Sequence, residues 1–345
     1  MIKANSRLAF AFLLGLFCFL NIAVGATVGG VTQGVPNCPK APTGFVAQHG
    51  QLRAINGKIL NKNNKPVILR GMSLFWSQWK EGSKYWVHST IASLKNNWKI
   101  TVIRAAMGVE QGGYLTAPVV EKQKVINVIE SALTLGIYVI VDWHDHNANK
   151  NSAKAIAFFT EIAQKYGNCH NLIFEPFNEP EQQDWAKVIK PYHEKVIPAI
   201  RKKSQNLILL GSRQWDQRLD EVAANPLNAT KFLNIAYTVH FYAATHKKAN
   251  RDLVQKAINK KLALFASECG VSEASGNGAI NKTEFTTWIN FLEKNGISWV
   301  AWSVSDKAES SAALKPGSNP NGKWTTAQYT PAGLFLYNTI RARNV

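Results

Sequence analysis

The sequence predicts a single (β/α)8 barrel, in which eight parallel strands are ringed by helices. From Gln48 onward, apolar segments alternate with amphipathic ones, and the apolar segments begin roughly every 25 to 40 residues, the size of a βα unit. Eight such repeats in a chain of 345 residues suit this fold. A doubly wound open sheet is the alternative, but no glycine-rich phosphate turn follows any of the predicted strands.

Each predicted strand is a nearly continuous apolar run, as expected where both faces of a parallel sheet are covered. The eight runs are 67–71, 101–105, 138–143, 172–175, 207–211, 235–240, 264–267 and 299–303. Between most of them, apolar residues recur with helical spacing. The predicted helices are 89–97, 117–135, 152–166, 185–203, 250–260 and 283–294.

The first 25 residues have the pattern of a secretory signal peptide. Lys3 and Arg7 precede an apolar run at 8–20, and small residues at 23–25 offer a cleavage site. We therefore expect a secreted, extracellular protein with no membrane-embedded part. The predicted organisation is a signal peptide (1–25), a linker or arm rich in Gly, Pro and Thr (26–47), and one barrel domain (48–345).

The chain is strongly basic, with a formal net charge of +18 that becomes about +16 when Lys3 and Arg7 leave with the signal peptide. Such an excess indicates attraction to a polyanion, and says nothing about fold. De-esterified pectin is the polyanion that we expect as a partner. A nucleic-acid partner is not expected, because no recognised binding module is present and the chain has a signal peptide.

Three cysteines follow the predicted signal peptide: Cys38, Cys169 and Cys269. In an oxidising compartment this odd number allows at most one disulfide and leaves one thiol. Their spacing matches no zinc pattern. Asn228 and Asn281 begin glycosylation sequons, so we expect both to lie at the surface.

Chemically active side chains follow the predicted strands, at the end where barrels of this kind place their active sites. Glu179 follows the fourth strand and Glu268 follows the seventh, which lie across the barrel mouth from each other. Opposed carboxylates are what glycoside hydrolysis requires, since one protonates the leaving oxygen and the other attacks or activates water. The remaining strand-end residues are Arg104, His144, Asn178, His240, Tyr242 and Trp302.

An ordered series of motifs runs along the chain: GMSLFWSQW (71–79), IRAAM (103–107), YVIVDWH (138–144), FNEP (177–180), HFYA (240–243), FASE (265–268), and WS (302–303) followed by Lys307, Glu309 and SSAAL (310–314). With these motifs, residues 48–340 resemble glycoside hydrolase family 5. The resemblance is greatest to the secreted β-1,4-endoglucanases of plant-feeding nematodes and beetles and their bacterial relatives.

The resemblance implies a retaining double displacement with Glu179 as acid/base and Glu268 as nucleophile. Asn178 would bind the sugar 2-hydroxyl, and Arg104 and Tyr242 would keep Glu268 ionised. The other implied substrate contacts are His144 and His240, which orient Glu179 and the sugar, Trp302 beneath the ring being cleaved, and Trp79, Lys307 and Glu309 further along. The expected enzyme is a monomer without a cofactor.

Cellulose-type β-1,4-glucan is the expected substrate, and plant cell-wall polysaccharide is the expected partner. Mannan, xyloglucan and xylan share the linkage and differ by a hydroxyl or a branch, so an enzyme for one of these remains an alternative. A non-catalytic polysaccharide-binding protein is the second alternative. That alternative predicts the loss of a catalytic carboxylate, whereas Glu179 and Glu268 are both present.

Four further positions bear on a metal site or on sugar contacts. Asp142 and His146 flank His144 in a pattern that looks metal-binding, but no further ligand cluster appears, so we expect no metal. Cys269 stands where relatives usually carry Trp, and Ala301 where Asn is common. We expect these two departures to affect sugar contacts in or behind the groove, and not the reaction itself.

Overall fold

The computed structural model describes residue 38 and residues 42–344, which lie in one compact unit. After a short antiparallel hairpin, β1 (Arg53–Ile55) and β2 (Lys58–Leu60), come eight parallel barrel strands. These are β3 (Arg70–Leu74), β4 (Val102–Gly108), β5 (Tyr138–His144), β6 (Leu172–Glu175), β7 (Ile208–Leu210), β8 (Ile235–Tyr242), β9 (Leu264–Gly270) and β10 (Ser298–Val304). Because β10 pairs with β3, the sheet closes. The predicted barrel is confirmed, and closure excludes the open doubly wound sheet.

All eight predicted strands overlap observed ones, and the largest shift is at the first. The run 67–71 becomes β3 (Arg70–Leu74), because its first residues pack on the hairpin: the Val67 N–H donates to the Ile59 carbonyl at 3.1 Å. The first residues of this apolar run therefore pack against the hairpin, and its last residues belong to β3.

The helices lie outside the barrel, and each of the six predicted helices overlaps an observed one. They are α1 (Gly44–His49), α2 (Lys80–Ser83), α3 (His88–Ser93), α4 (Pro118–Leu135), α5 (Ser152–Tyr166), α6 (Lys190–Arg201), α7 (Arg213–Asp216), α8 (Leu219–Ala224), α9 (Lys248–Asn259), α10 (Lys282–Lys294) and α11 (Pro331–Arg343). Local signals set several of their ends. Pro118 begins α4, and the Asn281 side chain caps α10 by accepting the Glu284 N–H.

The inside of the barrel changes from apolar to polar along the strands. Inward side chains of β5 read Tyr138, Ile140, Asp142 and His144 in order, since alternate residues of a strand face one side. The apolar lower half joins the hairpin and α1 in one buried cluster, so these elements seal the N-terminal end. The polar upper half opens at the C-terminal ends of the strands, where the site is built.

One residue of the predicted arm is bonded to the barrel. Cys38 forms a disulfide with Cys169, and Cys269 is a buried free thiol, which matches the expectation of at most one disulfide. Helix α1 begins at Gly44, within the predicted linker or arm (26–47). The predicted signal peptide and most of the predicted arm lie outside the described residues.

Surface features of the described part bear on two further expectations. Asn228 is exposed, whereas Asn281 is half-buried at the start of α10. No helix among the described residues is long and apolar enough to cross a membrane.

Candidate active site

A cavity of about 590 Å³ opens at the C-terminal ends of the barrel strands. Its lining residues are Phe75, Trp76, His144, His146, Glu179, Gln214, Trp215, Gln217, His240, Tyr242, His246, Glu268, Ala274, Ser275, Gly276, Trp302, Lys307 and Glu309. Eight of the eleven predicted site residues are in this set. Of the other three, Arg104 and Asn178 are buried, and Trp79 is exposed at 42%.

The two predicted catalytic carboxylates face each other in this cavity. One carboxylate oxygen from each of Glu179 and Glu268 and a ring nitrogen of His240 all lie within 4.8 Å of one another. Retaining glycosidases separate their carboxyl groups by about 5–5.5 Å, and inverting enzymes by about 6.5–9.5 Å to admit a water. The spacing therefore fits direct attack by one carboxylate.

Glu268 receives a hydrogen bond on each of its oxygens. Arg104 Nη1 donates at 2.7 Å and the Tyr242 hydroxyl donates at 2.7 Å. The approach of Tyr242 requires Gly270, because a β-carbon there would lie 2.2 Å from the tyrosine ring. Burial and the charge of Glu179 raise the pKa of Glu268, while Arg104, His240 and Tyr242 oppose this. Arg104 and Tyr242 therefore lower the pKa of Glu268, as expected, but burial and Glu179 outweigh them.

Glu179 is held by His240, whose Nδ1 lies 2.8 Å from Glu179 Oε1. The opposite nitrogen, Nε2, lies 2.9 Å from Ser267 Oγ and 3.3 Å from Asp216 Oδ2. Burial alone would lower the pKa of His240, but Asp216, Glu175 and Glu179 together raise it well above its usual value. In turn, although burial opposes it, the hydrogen bond from His240 lowers the pKa of Glu179.

Arg104 contacts three carboxylates at the floor of the cavity. Its guanidinium is wholly buried and lies 3.0 Å from Asp142, 2.8 Å from Glu175 and 2.7 Å from Glu268. These carboxylates overcome burial and raise its pKa well above the usual value. Although burial opposes it, Arg104 lowers the pKa of Glu175 to about 2, so this pair stays charged. The floor is a network of buried charges with mutual partners, which a barrel interior can tolerate.

His144 lies between aromatic rings and is a neutral group. Its Nδ1 is 2.7 Å from Asp142 Oδ2, and its ring stacks on Trp302 at 5.2 Å with 9° between the planes. The Trp76 ring meets it edge-on at 4.0 Å. Burial and the charge of Arg104 lower the pKa of His144 well below its usual value. Burial also raises the pKa of Asp142, so a single proton is shared between His144 Nδ1 and the Asp142 carboxyl oxygen.

Asn178 connects the floor to the predicted sugar-binding position. Its Oδ1 accepts a hydrogen bond from Arg104 Nη2 at 2.6 Å, while its buried Nδ2 has no partner within residues 42–344. A buried donor without a partner costs free energy, so a ligand that accepts from it is favoured.

The predicted sugar contacts further out divide into two groups. Lys307 forms an ion pair with Glu309 at 2.5 Å and lies over the Phe75 ring at 5.5 Å, next to Trp302. Trp79 is not among the cavity-lining residues, so a contact to sugar would require a chain that extends beyond the cavity.

The two departures noted in the sequence face away from sugar. Cys269 and Ala301 are paired across neighbouring strands and lie in the buried core between barrel and helices. They are therefore behind the groove, and neither lines the cavity.

The donor atoms around His240 do not suit a metal ion. Within the described residues, two trios bring their donor atoms within 4.8 Å: Glu175, Asp216 and His240, and Glu179, His240 and Glu268. Arg104 contacts a carboxylate of each trio, and its fixed positive charge repels a cation. Asp142 and His146 do not converge either, since His146 Nδ1 lies 2.9 Å from the Glu179 carbonyl.

Sequence reasoning missed several residues of this site. Glu175 ends a predicted strand, so the strand-end rule could have found it. A left-handed turn is formed by Gln214, Trp215 and Asp216, with φ of 55°, 52° and 61°. Because the turn contains no glycine, the sequence gives no signal for it. From this turn, Asp216 contacts His240, while Trp215 lines the cavity.

Comparisons with known proteins agree with this geometry. Residues 60–308 match the model of the cellulase family, glycosyl hydrolase family 5. The chain is 38% identical to an endoglucanase of Clostridium saccharobutylicum, over 97% of this chain and 72% of that one. It is 44% identical to endoglucanase Z of Dickeya dadantii, over 77% of this chain and 62% of that one.

Solved structures give the same result. The catalytic domain of Thermobifida fusca endoglucanase Cel5A superposes with a TM-score of 0.81 at 31% identity, covering 86% of this chain and 99% of that one. A variant of that domain was solved in complex with cellotetraose. A Cytophaga hutchinsonii structure has a TM-score of 0.85 at 44% identity, covering 88% of this chain and 98% of that one. The chain therefore belongs to glycosyl hydrolase family 5, the cellulase family.

Proposed function

We propose that this chain is a retaining endo-β-1,4-glucanase that cleaves cellulose-type glucan. The observation that carries the proposal is the pair Glu179 and Glu268, with carboxylate oxygens within 4.8 Å across one open cavity. The endoglucanase relatives and the cellotetraose bound to the Thermobifida fusca domain support glucan as substrate.

In the first step, a Glu268 oxygen attacks the anomeric carbon as the glycosidic bond breaks. Glu179 delivers a proton to the leaving oxygen; in the resting site this proton is on His240, and it reaches Glu179 across their hydrogen bond. As the covalent bond forms, Glu268 loses the negative charge that the hydrogen bonds from Arg104 and Tyr242 stabilised. Asn178 Nδ2 donates to the 2-hydroxyl. The product is a glycosyl-enzyme with inverted configuration.

In the second step, Glu179 takes a proton from a water as that water attacks the same carbon. The bond to Glu268 breaks, and its carboxylate returns to the two hydrogen bonds that held it. Two inversions restore the original β configuration. Trp302 lies beside His144 at the cavity wall, where an aromatic face supports the sugar ring.

A reducing-sugar assay on four uncharged or weakly charged polymers tests the substrate. We expect hydroxyethyl cellulose to be cleaved about tenfold faster or more than glucomannan, xyloglucan or xylan. A preference for one of the other three would assign the enzyme to that polymer. Tight binding without hydrolysis of any polymer would instead show the non-catalytic alternative. The Glu268→Gln variant gives the background rate.

We also propose that the protein is secreted as a monomer after cleavage near residue 25, and that it is related to the nematode and beetle enzymes. The charged and apolar pattern of the first 25 residues supports secretion, and the 71–79 motif supports the animal group. N-terminal sequencing of the secreted protein tests the cleavage site, and a sedimentation mass of one chain tests the monomer.

The same excess of positive charge supports association with acidic pectin. A mature charge near +16 attracts a polyuronate independently of the active site. Binding to de-esterified pectin should weaken steeply as salt rises, because the Debye length falls to about 10 Å at 0.1 M salt. Salt-insensitive binding would contradict this part of the proposal.

A further inference from the structure

The two ends of the barrel differ in charge. Connections that enter strands at the N-terminal end, together with the hairpin, contain ten Lys or Arg and no Asp or Glu. These connections are residues 50–69, 99–101, 136–137, 167–171, 202–207, 225–234, 260–263 and 295–297. Their charges therefore have no acidic partner within the same connections.

The connections at the C-terminal end, around the cavity, have a different composition. They contain ten Lys or Arg and ten Asp or Glu, so their formal charges cancel. These connections are residues 75–87, 109–117, 145–151, 176–189, 211–218, 243–247, 271–281 and 305–330. A neutral glucan thus meets a mouth that is neutral overall, while positive charge collects at the opposite end.

One cluster of this positive charge lies where α6 leads into β7. A second cavity of about 500 Å³ is lined there by His170, Arg201, Lys202 and Lys203, and none of its lining residues is acidic. Burial and the charge of nearby Lys62 lower the pKa of His170. Several cations therefore share one small surface, which raises the local potential for an anion.

Among the described residues, no carboxylate pairs with Arg201 at this cavity. Its guanidinium donates to the backbone carbonyls of Ser204, Asn206, Leu233 and Asn234, and its buried Nε has no hydrogen-bond partner in the described part of the chain. Burial lowers its pKa to about 10 because no carboxylate compensates. A bound carboxylate would supply the missing charge.

We propose that the N-terminal end of the barrel docks a polyuronate of the de-esterified pectin type, with Lys202 and Lys203 at the centre of the contact. The active-site cleft at the opposite end then stays open to glucan. This inference rests on the proposed association with acidic pectin and assigns it to one face. A carboxylated sugar chain fits because it presents repeated single negative charges to connections that contain ten Lys or Arg and no Asp or Glu.

The same face lacks the features of a single-stranded nucleic-acid site. Such sites stack bases on exposed aromatic rings. Among the described residues, the large exposed apolar side chains in these connections are Ile55 and Leu233, while exposed Trp79 and Trp215 lie at the cleft end. A charged polysaccharide needs no stacking platform.

The test is a matched pair of charge-reversal variants. Lys202→Glu with Lys203→Glu changes the proposed face, and Lys315→Glu with Lys323→Glu makes the same net change at the cleft end, where both lysines are also exposed. Binding to immobilised polygalacturonate is measured at about 0.01 M salt, where the Debye length is about 30 Å. Fully methyl-esterified pectin, which lacks the charge, is the ligand control.

We expect the Lys202/Lys203 variant to bind polygalacturonate about tenfold more weakly or worse, and the Lys315/Lys323 variant to lose about threefold or less. Both should hydrolyse hydroxyethyl cellulose at the parent rate, which separates this inference from the proposed glucanase activity. Equal losses in the two variants would overturn a localised face. Soluble polyuridylate and soluble polygalacturonate are compared as competitors for the bound protein. If polyuridylate displaces the protein at concentrations at which polygalacturonate does not, the assignment of a polyuronate as the ligand is overturned.

Discussion

Arg104, at the floor of the cavity, has no exposed surface and contacts three carboxylates, whereas Trp79 and Trp215 near the rim expose 42% and 40% of theirs. The floor residues have several partners each, so their positions are determined before substrate arrives. The rim residues are free to adapt to a chain. Chemistry should therefore depend on the floor and the carboxylates above it, and chain binding on the rim.

The largest effect should come from removal of the nucleophile. Glu268→Gly removes the attacking oxygen, and we expect kcat on an aryl β-cellobioside to fall by about 10⁴-fold or more. Azide can occupy the space left and attack once, so it should restore turnover and give an α-glycosyl azide. NMR of the azide product measures this outcome. Glu273→Gly, in the connection that follows β9, is the control. A β-glycosyl azide, or inverted sugar from the parent enzyme, would contradict the assignment.

The next effect concerns the acid. Glu179→Gln should reduce kcat on glucan by about 10²–10⁴-fold, because general acid catalysis typically contributes that much. The first chemical step on a dinitrophenyl cellobioside, whose leaving group needs no proton, should change little. Burst kinetics on the two substrates separate these cases. Glu181→Gln in the same connection is the control, and equal loss on both substrates would show that Glu179 is structural.

A smaller effect should appear in the pH profile. The Asp216 charge raises the pKa of His240, so Asp216→Asn should lower that pKa and move the alkaline limb of kcat/KM to lower pH. Burial raises the pKa of Asp216 itself. An unchanged limb would show that Asp216 is neutral while His240 titrates. Asp220→Asn, whose carboxylate binds Arg218 instead, is the control.

The smallest effect is expected at the rim. Trp79→Ala should raise KM for long glucans by a few-fold to about tenfold and leave kcat unchanged, because a lost stacking contact weakens binding in ground and transition states alike. Aryl cellobiosides, which do not reach beyond the cavity, should be unaffected. A fall in kcat on either substrate would contradict the separation between floor and rim.

The sequence predicted the barrel and the strand-end residues because both depend on local patterns. Apolar runs mark the strands, and polar residues at the ends of the runs or just after them face the mouth, as Glu179 and Glu268 do. Asp216 and Trp215 could not be found in this way. Their places depend on a left-handed turn without glycine and on contacts between distant segments.

The hairpin and α11 were missed for a different reason. The hairpin strands have three residues each, too few for a periodic signal. Helix α11 buries Leu336 and Ile340 but exposes Leu334, so its apolar residues do not form one clear stripe. The pairing of Cys38 with Cys169 also could not be derived, because three cysteines permit three pairings.

Cys169 lies in the connection that enters β6, and Asn344 donates through Nδ2 to the Lys99 carbonyl at 2.9 Å, in the connection that enters β4. The disulfide thus holds Cys38, and α11 holds Asn344, at the end of the barrel away from the cleft. An enzyme coupled to a bead through a residue next to either one would have its cleft directed outward. Enzyme coupled in this way should retain nearly its full turnover on soluble glucan. Enzyme coupled through Lys323, at the cleft end, should lose turnover because its cleft faces the bead.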